Sequence, residues 1–205
     1  MSQILSYGGV NLYQEDLKLL EKGNWLNDRI LSFCAEYLGE KYENVHIFGP
    51  PEVEMIKMAP DSRFVAECFG SIDFDGKNLV CFMLNDNSDA SKIAGGSHWT
   101  LLVYSKISKK YLHLNSAPTA NQNSIWTRKI ARNCIELFPD SSLEVRETPC
   151  PSQKNGADCG VFVMEFARFC AENGDLSEIS ARLKSEKISE QRICWKNLIL
   201  ELGSK

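Results

Sequence analysis

Apolar positions along the chain follow two rhythms. Ile30, Phe33, Cys34, Tyr37 and Leu38 recur at helical spacing and predict an amphipathic helix over 29–42. Asn27 stands at its N-cap position, with Asp28 in the first turn where the helix dipole favours an anion. Shorter helices are expected from Tyr13 to Leu20, from Glu52 to Lys57 and from Arg63 to Phe69, the last stopped by Gly70. Ile125, Trp126, Ile130, Cys134, Leu137 and Phe138 mark a further amphipathic helix up to Pro139. Strands are expected over 4–12 around a Gly8-Gly9 turn, and at Val45–Phe48, Asn78–Leu84 and Leu143–Glu147. His98–Tyr104 and Tyr111–Leu114 should pair as a hairpin about Lys106–Lys109. A strongly apolar helix begins near Cys159 and ends at Asn173-Gly174, and two shorter helices close the chain, the last carrying Ile193, Trp195, Leu198, Ile199 and Leu200. The pattern is α+β: one domain over 1–205, with a central sheet and helices packed around it.

Between these elements the stretch from Asn85 to Ser97 is polar and Gly-rich. Loops of that length inside a compact domain are usually functional.

Charge and cysteine usage narrow the chemistry. A net charge of -4 and a pI near 5.5 argue against nucleic-acid binding. No apolar stretch reaches the length of a membrane span, and residues 1–9 lack the basic and apolar regions of a signal peptide. None of the eight cysteines forms a C-x-x-C pair, and the three histidines do not cluster near them, so neither a zinc site nor any other cofactor is expected. A disulfide framework is not expected either. The expected compartment is cytoplasm, nucleus or both.

The stretch from Gln153 to Gly160 is a polar loop that runs straight into the apolar helix, with Cys159 at the junction. Unpaired N–H groups and the dipole at a helix start bias a thiol toward thiolate, the nucleophilic form. Such a nucleophile needs a base and a group to orient it. His46, His98 and His113 are the candidate bases. A turn centred between Lys106 and Ile107 sets His98 directly opposite Asn115, whose side-chain oxygen can accept the imidazole N–H and fix its tautomer. His113 shares that face further into the strand and reads as a packing or supporting residue. Gln153, six residues before Cys159, can offer its amide to an oxyanion. Gly156 permits a backbone conformation closed to other residues, and Gly160 permits close approach of another segment to the nucleophile. Trp25, read alone, is a packing anchor before the 29–42 helix.

Three strings together carry a resemblance: Gly95-Gly96-Ser97-His98-Trp99, Leu114-Asn115-Ser116, and Gln153 through Asp158-Cys159-Gly160. With Trp25-Leu26-Asn27-Asp28 they make the chain similar to the ubiquitin-like-protein proteases, the Ulp/sentrin-specific family of cysteine peptidases, and most similar to its small deneddylase branch. The resemblance implies a papain-like-superfamily fold of the Ulp type, with the nucleophile at the N-terminus of a buried helix. It implies a thiol isopeptidase that cleaves after the terminal Gly-Gly of a ubiquitin-like modifier, in maturation and deconjugation. Cys159 would be the nucleophile, His98 the base and then acid, Gln153 an oxyanion donor, and Trp25 and Trp99 the lid and floor of a narrow tunnel. Asp28 and Asp86 are candidates to grip the basic tail of the modifier. The neddylation modifier is the first choice of partner, with cullin-type conjugates, and SUMO the second; neither nucleic acid nor membrane is expected, and the chain is expected to be a monomer. Asn115 departs from the family's usual Asp and brings no charge to the histidine. That departure admits a rival reading, a catalytically weak module that only binds ubiquitin-like proteins.

Overall fold

The computed structural model describes residues 2–89, 96–117 and 123–204. A hairpin of β1 (Gln3–Tyr7) and β2 (Val10–Tyr13) leads into α1 (Gln14–Leu19) and α2 (Asp28–Lys41). Then follow β3 (Val45–Phe48), α3 (Pro50–Met58), α4 (Ser62–Phe69), β4 (Leu79–Asn85), β5 (Trp99–Ser105) and β6 (Lys110–Leu114). The chain continues with α5 (Asn123–Asn133), β7 (Val145–Glu147), α6 (Cys159–Asn173), α7 (Ile179–Arg182) and α8 (Ser185–Gly203).

The main sheet has the order β3-β4-β5-β6-β7. Its two outer pairs are parallel and the inner pairs antiparallel, so the sheet is mixed. Side-chain alternation divides β4 and β5 between two cores. Cys81, Met83, Leu101 and Val103 face one cluster with Phe33 of α2, Phe162 of α6 and Trp195 of α8. Phe82, Leu84, Leu102 and Tyr104 face the other with Phe48, Val53 of α3, Val65 of α4 and Ile130 of α5. Burial of both faces explains why residues 79–84 form an unbroken apolar run. α6 lies inside the first cluster, and Val161, Phe162, Val163, Met164 and Phe166 are all buried.

The expected elements recur with local corrections. Asn27 caps α2 by accepting from the Ile30 N–H at 3.2 Å. The 125–139 helix is shorter than its apolar pattern suggests: α5 stops at Asn133 and turns carry the chain to Phe138, while Ile125 faces solvent. The closing helix is longer, 19 residues, and its buried face is Ile188, Arg192, Trp195 and Ile199, not Ile193 or Leu200. The β5–β6 turn is centred one residue later than expected, since Leu101 faces Leu114 and Leu102 faces His113.

Candidate active site

That offset matters for His98. Continued past the strand ends, the register sets Asn115 opposite Thr100, two residues from His98. A displacement of two keeps both residues on one face of the sheet, where diagonal neighbours remain in reach of long side chains. His98 Nε2 lies 2.8 Å from Asn115 Oδ1. The same oxygen accepts the Ala117 backbone N–H at 2.9 Å. A backbone N–H can only donate, so the Asn115 atom there is the oxygen. Nε2 is therefore the protonated nitrogen, and Nδ1 is left as the base that can take a proton.

Asp86 holds the histidine from behind. Its Oδ1 accepts the backbone N–H of Ser97 at 2.6 Å and of His98 at 3.0 Å, while Oδ2 accepts Ser97 Oγ at 2.7 Å. Asp86 is 8% exposed, and both oxygens are engaged within the chain. The carboxylate of Asp86, expected as a contact for a substrate tail, here fixes the backbone of residues 97 and 98. Lys57, fully buried, pins the same loop root by donating to the carbonyls of Asn85 at 3.2 Å and Asn87 at 2.6 Å. At Gly96 a Cβ would fall 1.6 Å from Asn85 Oδ1, so a larger residue there would displace the Asn85 side chain. Residues 90–95 of the expected functional loop lie outside the described residues.

Cys159 opens α6 and is 4% exposed. Burial pushes its thiol above the usual range. The backbone N–H groups of Trp99, Gly160 and Cys159 act the other way, and the Asp86 charge adds to the rise. Desolvation thus outweighs the helix start in setting the direction of the shift. The Trp99 N–H acting on the sulfur brings it to the residue next to His98. Asp158 precedes Cys159 but does not cap the helix with its side chain.

Gln153 is held by both ends of its amide. Nε2 donates to the Asn155 carbonyl at 2.6 Å, and Oε1 accepts from Ser116 Oγ at 2.7 Å. A carbonyl can only accept, so the nitrogen end of the amide is fixed. The main chain runs alongside, with Gln153 N donating to the Ser116 carbonyl at 2.8 Å.

The Trp25 segment closes the site from the other side. Trp25 is 53% exposed, whereas Trp99 is buried and its indole N–H donates to the Leu26 carbonyl at 3.3 Å. Leu26 also sits on the nucleophile's helix: a Cβ at Gly160 would lie 3.0 Å from Leu26 Cβ. The segment approaching Gly160 is therefore the Trp25 motif itself. Gly156 needs no glycine conformation, since its φ is not left-handed and a Cβ there would meet open space. Asp28 stands exposed at the start of α2.

The other histidines stand apart. His113 pairs through Nδ1 with Glu147 at 2.8 Å, tying β6 to β7. His46 lies on β3 against Phe48 and Phe74, and burial, with the Lys77 charge, lowers its pKa to about 4.

A thiol at a helix start, a histidine in the proton-accepting tautomer and an anchored amide donor suit acyl transfer through sulfur. The model of the Ulp1 protease family, C-terminal catalytic domain, matches residues 24–205. The chain belongs to the Ulp1 protease family. It is a cysteine peptidase of that family, which acts on ubiquitin-like modifiers. It is 30% identical to human sentrin-specific protease 8 over 213 aligned positions, covering 98% of each chain. It is 33% identical to NEDD8-specific protease 1 of Arabidopsis thaliana, covering 83% of this chain and 76% of that protein. Among solved structures, yeast Ulp1 in complex with Smt3, the yeast ortholog of SUMO, shares the fold at a TM-score of 0.79 and 18% identity, covering 100% of this chain and 89% of that one. The Ulp1 fold here is the mixed five-stranded sheet with helices on both faces.

Sequence reasoning missed Ser116, Lys57 and Arg192. Arg192 left a signal. It stands four residues after Ile188 and three before Trp195, a charge on the apolar stripe of α8.

Proposed function

We propose that this chain is a deneddylase: a thiol isopeptidase that cleaves after the Gly-Gly end of the neddylation modifier, maturing its precursor and releasing it from conjugates such as cullins. The observation that carries the choice of modifier is the 33% identity to a protein named as NEDD8-specific, over 83% of the chain. The likeness to a Smt3-bound protease at 18% identity speaks for the fold alone.

In the proposed mechanism the Cys159 thiol gives its proton to His98 Nδ1, and the thiolate attacks the terminal glycine carbonyl. A C–S bond forms, and the carbonyl electrons move to an oxyanion held by a Gln153 Nε2–H and the Cys159 N–H. As the oxyanion collapses, the C–N bond breaks and His98 returns the proton to the departing amine. Water, deprotonated by His98, then hydrolyses the thioester. Asn115 keeps the imidazole in the accepting tautomer. Trp25 and Trp99 are proposed as lid and floor of a passage that only a glycine pair can thread, and Asp28 as a contact for the basic tail. A monomer in the cytoplasm, nucleus or both is proposed.

The test is a panel of modifiers, each bearing a C-terminal electrophile. The expected result is an adduct on Cys159 with the neddylation modifier and none with Cys159→Ala. An adduct with SUMO alone overturns the choice of modifier, and no adduct with any member favours the reading as a binding module.

A further inference from the structure

We infer that Arg192 is a positioning residue that locks the Trp25 segment in register with Cys159, so that a modifier tail is threaded onto the sulfur. The inference deepens the proposed function and rests on it.

The guanidinium is 3% exposed, and each of its nitrogens is committed. Nε and Nη2 both reach Asp158 Oδ1, at 2.9 and 2.7 Å. Nη2 also donates to the Ala157 carbonyl at 3.0 Å and the Asn24 carbonyl at 2.8 Å. Nη1 donates to the carbonyls of Leu19 at 2.9 Å and Glu21 at 3.3 Å. One planar group therefore binds the peptide just before Trp25 and the residue just before Cys159. Its fork is rigid, so it fixes the distance between them as a flexible ammonium would not.

Both ends of this bridge are braced. Asp158 Oδ2 accepts Ser189 Oγ at 2.6 Å and Asn155 Nδ2 at 2.8 Å. Asn155 is also the residue whose carbonyl fixes the Gln153 amide. On the far side of Trp25, Asn27 Nδ2 donates at 2.7 Å to Asp16, itself 2% exposed. Trp25 is thus an exposed indole on a backbone clamped at Asn24 by Arg192 and at Asn27 by Asp16. The partners of Arg192 are mostly main-chain carbonyls, so a stabilising salt bridge alone does not account for its geometry. A misplacement of about 1 Å in such a substrate-positioning segment costs roughly a hundredfold in rate.

The experiment compares the full chain with Arg192→Lys, which keeps a cation beside Asp158 and loses the fork. Two rates are read at Cys159: adduct formation with the neddylation modifier bearing a C-terminal electrophile, and alkylation by iodoacetamide, followed on the Cys159 peptide by mass spectrometry. Arg192→Lys should slow the adduct about tenfold or more and leave alkylation within about twofold, since the small reagent needs no Trp25. In a Trp25→Ala background it should slow the adduct little further. An adduct rate equal to wild type, a parallel fall in both rates, or additive losses in the double variant each overturn the proposal. Native-state hydrogen exchange of the unsubstituted protein needs neither the variant nor a modifier. Amides of 20–26 and 157–160 should open as one unit, and independent opening overturns the coupling. If wild type reacts with no modifier, the proposed function falls, and the exchange result still decides the role of Arg192.

Discussion

Asn115 accepts from His98 Nε2 at 2.8 Å, and Ser116, the next residue, donates to Gln153 Oε1 at 2.7 Å. One dipeptide just past the end of β6 therefore holds both the His98 imidazole and the Gln153 amide, the proposed base and the proposed oxyanion donor. Ser116→Ala should release one end of the Gln153 amide and lower kcat about tenfold with KM nearly unchanged. Gln153→Ala should cost more, about 10²–10³-fold. Steady-state kinetics on a modifier fused to a C-terminal reporter checks the order. Equal losses in the two variants would count against the orienting role of Ser116.

Asn115→Asp should shift the pH profile. Burial holds the Cys159 thiol above its usual range, so kcat/KM should rise with pH from neutral toward alkaline as thiolate forms. A carboxylate at 115 stabilises the His98 imidazolium and, through it, the thiolate. The rising limb should move to lower pH by about one unit or more. An unchanged profile would remove Asn115 from its orienting role.

Asp158 links the site to acid stability. Burial alone would raise its pKa, but hydrogen bonds from Ser189, Asn155 and Arg192, with the Arg192 charge, hold its carboxyl below the usual range. The folded value is depressed. The stabilisation is therefore present above the ordinary Asp value of about 3.9 and is lost as pH falls through the folded one. Asp158→Asn should cost about 3–5 kcal/mol at neutral pH, as expected when one partner of a buried pair is removed. It should also flatten the acid limb of the thermal midpoint. A midpoint that falls as steeply with acid as in wild type would contradict this.

Gly160→Ala introduces a Cβ 3.0 Å from Leu26 Cβ, and Leu26 must retreat by a few tenths of an ångström. Leu26 also carries the carbonyl that holds Trp99. The expected cost is about 1–3 kcal/mol of stability, with a loss of kcat/KM larger than the shift in thermal midpoint explains. Full activity in Gly160→Ala would show that the Leu26 contact does not set the site.

Much of this site was legible because strands repeat every two residues. The register expected for β5 and β6 differs from the observed one by two residues, and that error left His98 and Asn115 on one face. The capped start of α2 was legible for a similar local reason, since Asn27 bonds only three residues ahead. The upward push on the Cys159 thiol was not legible, because the helix start is visible in sequence, whereas the burial that opposes it is a property of the assembled core. The inward bonds of Asp86 were not legible for the same reason: a loop carboxylate gives no sign of the backbone it will cap. Arg192 was invisible in its partners, because carbonyl groups of residues 19, 21, 24 and 157 carry no side-chain signature.

The bonds from Arg192 to the carbonyls of Leu19 and Asn24 join residues 173 and 168 positions apart. On a ribosome, the segment bearing Trp25 leaves the exit tunnel long before its clamp is made. Closing so long a loop also delays folding relative to local contacts. A site that depends on this clamp is complete only after α8 has been synthesised and docked.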